Sequence, residues 1–209
     1  MSLVSVYIIA YNEAEKVRAT IESAKWADEI ILVDSWSTDG TAEIAQSMGA
    51  KVVQVKFSGF GDLRNRAIDA CSHPWIFSLD ADERCTPTVE AEIRAITIDP
   101  QALDAYWVPR RNFFMGRWIK HSGWYPNYRQ PQLFRSGCMR YDSKPVHEGY
   151  ILQSNKNNKY FRKADPCYRK SYRCRHKTYQ CQSGIAAQVL RFKSCQLIDS
   201  DGAFHCGPF

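Results

Sequence analysis

From Val4 to Leu79 the chain alternates between short, nearly unbroken apolar runs and stretches in which apolar residues recur at helical spacing. Val4–Ala10, Glu29–Asp34, Lys51–Val55 and Trp75–Leu79 read as strands. Ala14–Ala24 places Val17, Ile21 and Ala24 on one helical face, and Thr41–Met48 and Leu63–Cys71 read as further helices. A fourth helix is expected after Thr86-Pro87. Near-continuous apolar strands separated by helices predict an α/β fold, with a mostly parallel sheet flanked by helices on both faces. Ligands of such sheets bind beyond the carboxyl ends of the strands. Polar residues collect at those ends: Tyr11-Asn12-Glu13 after the first strand, Asp34 after the second, Asp80 and Asp82 after the fourth.

Residues 105–150 change character. Tyr106, Trp107, Trp118, Trp124, Tyr125 and Tyr128 crowd there among several arginines. Aromatic faces with hydroxyl and guanidinium donors suit sugar rings and phosphates, although the same residues would also build a small aromatic core. The division expected is one domain over 1–150, with the change in character separating 1–104 from 105–150. Residues 151–209 form an atypical tail. Only Gly184–Phe192 within it resembles a short helix.

Charge and cysteine usage sharpen that boundary. The net charge of the 209 residues is +6, but residues 1–150 carry 17 Lys/Arg against 19 Asp/Glu, and residues 151–209 carry 11 against 3. Five of the eight cysteines lie in the tail, and no pair has the C-x₂-C spacing of a zinc site. The interleaved Lys, Arg and Tyr from Lys156 to Lys177 suit a nucleic-acid-binding arm or a polybasic contact with anionic lipid. A disordered segment and a shifted reading frame are the plainer readings of the same composition. No apolar stretch reaches the roughly 18 residues of a membrane-crossing helix. The short apolar run at the N-terminus lacks a basic flank and reads as a strand, not a signal peptide. The expected location is the cytoplasm, where the thiols stay reduced, with peripheral contact at the inner membrane left open.

The strand Trp75–Leu79 stops at Asp80-Ala81-Asp82. In extended backbone, residues at i and i+2 share a side, so two carboxylates meet there and repel. A divalent cation relieves that repulsion. Mg²⁺ takes one or two carboxylates and fills its other positions with water and phosphate oxygens. The bland alternative is an acidic turn before the next helix. Asp34-Ser35-Trp36-Ser37-Thr38-Asp39-Gly40-Thr41 supplies a tight turn at Asp39-Gly40 and a candidate N-cap at Thr41. Asp34 has no evident structural need to be acidic and suits a base N–H. Arg64 and Arg66 open a helix, where the dipole disfavours cations, and a nearby nucleotide or diphosphate would compensate.

As a set these residues resemble the family 2 glycosyltransferases of the GT-A fold. Ile8-Ile9-Ala10-Tyr11-Asn12-Glu13 is similar to that family's nucleotide-binding start, Asp34 through Thr41 to its second nucleotide loop, and Leu79 through Glu83 to its Asp-x-Asp metal motif. Arg129-Gln130-Pro131-Gln132-Leu133-Phe134-Arg135 resembles a segment before the acceptor site. Pro145-Val146-His147-Glu148-Gly149 resembles a His-Glu motif of the branch that includes bacterial lipopolysaccharide inner-core glucosyltransferases. The resemblance implies inverting transfer from a UDP-sugar, glucose above others, to a heptose of the lipopolysaccharide core. Ala10, Tyr11, Asn12, Glu13, Asp34, Arg64 and Asp80 would bind the nucleotide. Asp82, with Asp80 and His147, would hold Mg²⁺ or Mn²⁺. Glu148 would be the base, and Arg129 and Arg135 would meet acceptor or diphosphate. Nucleic acid is not an expected partner under this reading.

Three rivals predict different things. A sugar-phosphate nucleotidyltransferase needs a Gly-rich basic loop after the first strand, where this chain has Tyr11-Asn12-Glu13-Ala14-Glu15. A nucleic-acid-binding protein acting through the tail predicts salt-dependent binding by residues 151–209. An inactive paralogue would keep nucleotide binding without an acceptor site.

Overall fold

The computed structural model describes residues 2–121, 129–142, 149–152 and 189–192. The first half alternates as the apolar pattern demands: β1 (Val4–Ala10), α1 (Ala14–Ala24), β2 (Glu29–Asp34), α2 (Thr41–Ser47), β3 (Lys51–Gln54), α3 (Phe60–Ala70) and β4 (Trp75–Asp80). Then follow β5 (Glu83–Cys85), α4 (Pro87–Ile98), β6 (Ala105–Phe114), β7 (Arg117–Trp118), β8 (Arg129–Arg135), β9 (Met139–Tyr141), β10 (Tyr150–Leu152) and β11 (Val189–Phe192).

One sheet organises the molecule, in the order β3-β2-β1-β4-β8-β6-β11-β5, with β7 paired to β6. β3, β2, β1 and β4 are parallel neighbours. β8 joins β4 antiparallel, and β6 joins β8 antiparallel, so the aromatic segment extends the sheet. β9 and β10 pair separately.

β1, β2 and β4 are nearly continuous apolar runs because both faces of the sheet are covered there. On one face Val6, Ile8, Leu32, Phe77 and Leu79 pack with Val17 and Ile21 of α1, Ala45 of α2 and Ile93 of α4. On the other, Tyr7, Ile9, Ile31 and Ile76 pack with Leu63, Ala67 and Ile68 of α3 and with Met139 of β9. α4 starts as its sequence requires: Pro87 needs no N–H partner at the first position, and the Thr86 hydroxyl accepts from the Val89 N–H at 3.3 Å.

Two expectations change. The helix expected from Leu63 begins at Phe60. The tail segment expected as a helix contains a strand at Val189–Phe192, parallel to β6 and antiparallel to β5, where its backbone fills the gap between two open edges. Among the described residues no helix is long and apolar enough to cross a membrane.

Candidate active site at the carboxyl edge of the sheet

β1 lies between β2 and β4, and strand order reverses there. Connections that leave in opposite directions open a crevice beyond the carboxyl ends, where ligands of such sheets bind. Ala10 is in register with Asp34, and Ile9 with Asp80. The loops after β1, β2 and β4 therefore start from adjacent strands, about 4.8 Å apart.

Two of those loops are laced together. The Asn12 N–H donates to the Ser37 hydroxyl at 2.8 Å, and the Thr38 N–H donates to Asn12 Oδ1 at 2.9 Å. The Glu13 N–H donates to the Thr41 hydroxyl at 2.8 Å, and the Ala14 N–H to Asp39 Oδ2 at 3.0 Å. Asp39 thus caps α1 from the neighbouring loop, where the helix dipole favours a carboxylate. Burial pushes the Asp39 carboxyl up, but the Thr41 hydroxyl and the N–H groups of Ala14 and Thr41 outweigh it and hold it below the ordinary value. Gly40, at φ +91°, makes the turn and is itself the N-cap of α2, so Thr41 is the first helical residue instead of the cap. Asn12 and Trp36 both sit in the left-handed region, at φ 52° and 61°. Tyr11 and Trp36 stand 58% and 62% exposed beside this rim. Exposed aromatics and strained backbone are the kind of feature that collects at binding sites.

Asp34 does have a structural reason to be acidic. It is fully buried; its Oδ2 accepts from the Ser37 N–H at 2.9 Å and its Oδ1 from the Ser37 hydroxyl. Its carboxylate shapes the loop that carries Ser37, Thr38 and Asp39.

The Asp80–Asp82 turn rests on a charged cluster. Arg64 Nη2 meets Asp80 Oδ1 at 2.8 Å, and Arg110 Nη2 lies 3.6 Å from Asp80 Oδ2. Arg110 Nε lies 2.7 Å from Glu83 Oε1. Arg64 and Arg110 are 8% and 4% exposed. Burial works against the Arg64 charge, but Asp80, together with the Tyr141 and Tyr7 hydroxyls, outweighs it, and its pKa lies well above the usual arginine value. So the compensation expected from a nucleotide comes from within the chain, and Arg64 lies a full turn inside α3. Arg66 makes an exposed pair with Asp62 at 2.9 Å. From the opposite face, Thr20 Oγ1 donates to the Ala81 carbonyl at 2.5 Å, and Arg84 Nη2 to the Lys16 carbonyl at 3.0 Å. These bonds tie the turn to α1.

Ala10, Tyr11, Asn12, Glu13, Asp34, Arg64, Asp80 and Asp82 are therefore brought to one edge. Arg129 falls at that edge by its backbone register in β8. Arg135 does not. It pairs opposite Trp75, at the amino end of β4, roughly 17 Å of strand from Asp80. There its guanidinium stacks 4.4 Å from the Trp75 ring centroid and lies 3.6 Å from Asp104. His147 and Glu148 lie outside the described residues. Sequence reasoning missed Arg110 and Gln132. The alternation Val108, Arg110, Asn112 was the available signal for Arg110, since it places a charge at an inward-facing phase.

The donor set suits a divalent cation bound with phosphate. Asp80 is balanced by two arginines, whereas Asp82 is half-buried at the tip of the turn, where its charge acts on Arg84. One carboxylate completed by diphosphate oxygens and water is a normal Mg²⁺ arrangement.

The profile of the glycosyl transferase family 2 matches residues 5–160. The chain belongs to that family. It is 33% identical over 164 residues to the lipopolysaccharide core biosynthesis glycosyltransferase LpsC of Rhizobium meliloti, covering 74% of this chain and 59% of LpsC. It is 43% identical over 94 residues to an uncharacterized glycosyltransferase of Rickettsia bellii, covering 44% of this chain and 32% of that protein. The chain thus spans less than two thirds of the relatives it matches. The structure of S. aureus TarS 1–349 is similar in fold, with a TM-score of 0.53 and 17% identity over 68% of this chain and 51% of that one. The fold is of the GT-A type, as the sequence predicted.

Proposed function

We propose that this chain carries the donor site of an inverting glycosyltransferase that moves a sugar from a UDP-sugar to the lipopolysaccharide core. The observation that carries the reading is the convergence of the laced loops 11–14 and 35–41 and the Asp80–Asp82 turn at the carboxyl ends of the adjacent strands β1, β2 and β4. The likeness to LpsC supports the lipopolysaccharide acceptor. Glucose as donor sugar and heptose as acceptor extend the proposal.

In this reading the rim holds the nucleoside, with the Tyr11 and Trp36 rings offering flat apolar faces to the base and Asn12 and Glu13 fixed beside the ribose. Asp34 acts by shaping the second loop. Asp82 would hold Mg²⁺ or Mn²⁺ against the diphosphate, and the bound ion would supply charge neutralisation for the departing UDP. Asp80, clamped by Arg64 and Arg110, keeps the turn at the strand end. Glu148 deprotonates the acceptor hydroxyl on the face opposite the leaving group, which gives inversion. Arg129 meets the acceptor or diphosphate.

Incubation with UDP-glucose, Mn²⁺ and a heptose-terminated core acceptor tests this. The expected product is the acceptor extended by one hexose, with released UDP in equal amount. Extension by a different sugar from another UDP-donor would revise the donor alone. Release of UDP from no UDP-sugar, with no acceptor extended, would contradict the proposal.

A further inference from the structure

Behind the Asp80–Asp82 turn lies a buried hub centred on Glu83 and Gln132, two residues that the reading above leaves without a task. Glu83 is 0% exposed and Gln132 is 1% exposed. Glu83 Oε2 accepts from the Asp80 N–H at 3.1 Å and from Gln132 Nε2 at 2.9 Å. The same Gln132 nitrogen donates to the Ser78 carbonyl at 3.0 Å. Arg110 joins Glu83 at 2.7 Å and reaches on toward Asp80 at 3.6 Å. One carboxylate therefore bridges the first residue of the turn to β5, β6 and β8. Burying an ion pair costs desolvation that a well-packed apolar set would avoid. Stability alone is a poor reason to place one under a ligand-facing turn, and fixed geometry is a better one. The Asp80 N–H to Glu83 bond spans the turn from one side to the other, so its loss frees Ala81 and Asp82 to swing while β4 and β5 stay in place.

We propose that Glu83, oriented by Gln132 and Arg110, is a positioning residue that aims the Asp82 carboxylate at the cation bound with the donor diphosphate. The inference rests on the nucleotide-sugar reading above.

The test is calorimetric titration of UDP into the 209-residue chain, with and without Mn²⁺, for wild type, Glu83→Gln and Gln132→Met, with melting temperatures alongside. The quantity read is the factor by which Mn²⁺ tightens UDP binding. Gln132→Met keeps side-chain volume and leaves the Glu83–Arg110 pair in place, so it guards against Glu83→Gln failing to fold. Both variants are expected to lower that factor about 10-fold, with metal-free UDP affinity unchanged and Gln132→Met melting near wild type. A merely structural hub would lower melting temperature and both affinities together, which overturns the proposal. So does an unchanged factor in both folded variants. A wild type with no Mn²⁺ effect at all overturns the parent reading and this one with it. A wild-type effect retained by the variants overturns the positioning role alone.

Discussion

Glu29 shows how a single carboxylate contributes to the acid sensitivity of this fold. It ties the amino ends of the sheet together: its oxygens accept from the Ser5 hydroxyl at 2.5 Å and from the Ser72 N–H and hydroxyl at 2.9 Å each. Burial pushes its pKa up, but these hydrogen bonds outweigh burial and hold it below the usual carboxylate value. The folded state therefore binds this proton less readily than the unfolded chain. The stabilisation is complete above the unfolded value of about 4.3 and is lost as pH falls through the lower folded value. Glu29→Gln should be less stable at neutral pH yet lose less melting temperature on acidification than wild type, and an equally steep acid limb would contradict this. Other single residues were harder to read in advance. Asp34 looked to have no structural need of its charge because a loop carboxylate shows no partner in a linear sequence, and Ser37, three residues on, is such a partner. Arg64 looked uncompensated because Asp80 is distant in sequence.

The packing of α3 on the β9–β10 hairpin shows where periodicity stops being informative. Gly61 lies inside α3 because the hairpin touches the helix there: a Cβ on it would come within 1.9 Å of the Asp142 carbonyl oxygen. Asn65 clamps the same contact, donating to the Tyr141 carbonyl and accepting from the Tyr141 N–H, both at 2.9 Å. Gly61→Ala, a gain in helix propensity, should nevertheless destabilise the fold by about 1–3 kcal/mol. Denaturant unfolding measures this, and a stabilised variant would show that the hairpin does not press on the helix. The first four strands were legible as short, mostly apolar runs and their helices as apolar faces at helical spacing. The start of α3 and the strand Val189–Phe192 were not, because a backbone contact and an open sheet edge decided them.

For the molecule as a whole, the parallel strands and the polar clusters at one edge were legible in the sequence, and the motifs there carried the family resemblance, while the order reversal beside β1 became visible only in the fold. The support behind that edge was not legible. Arg64, Asp80, Glu83, Arg110 and Gln132 come from α3, β4, β5, β6 and β8, and nothing in their spacing announces that they meet. The central claim is a nucleotide-diphosphate site that uses Asp82. The most direct test is UDP titrated by calorimetry into wild type and Asp82→Ala, each with and without Mn²⁺. Binding that Mn²⁺ strengthens in wild type and fails to strengthen in Asp82→Ala is the predicted result. No UDP binding by the wild-type chain in either condition, or a Mn²⁺ effect that survives Asp82→Ala, would contradict it.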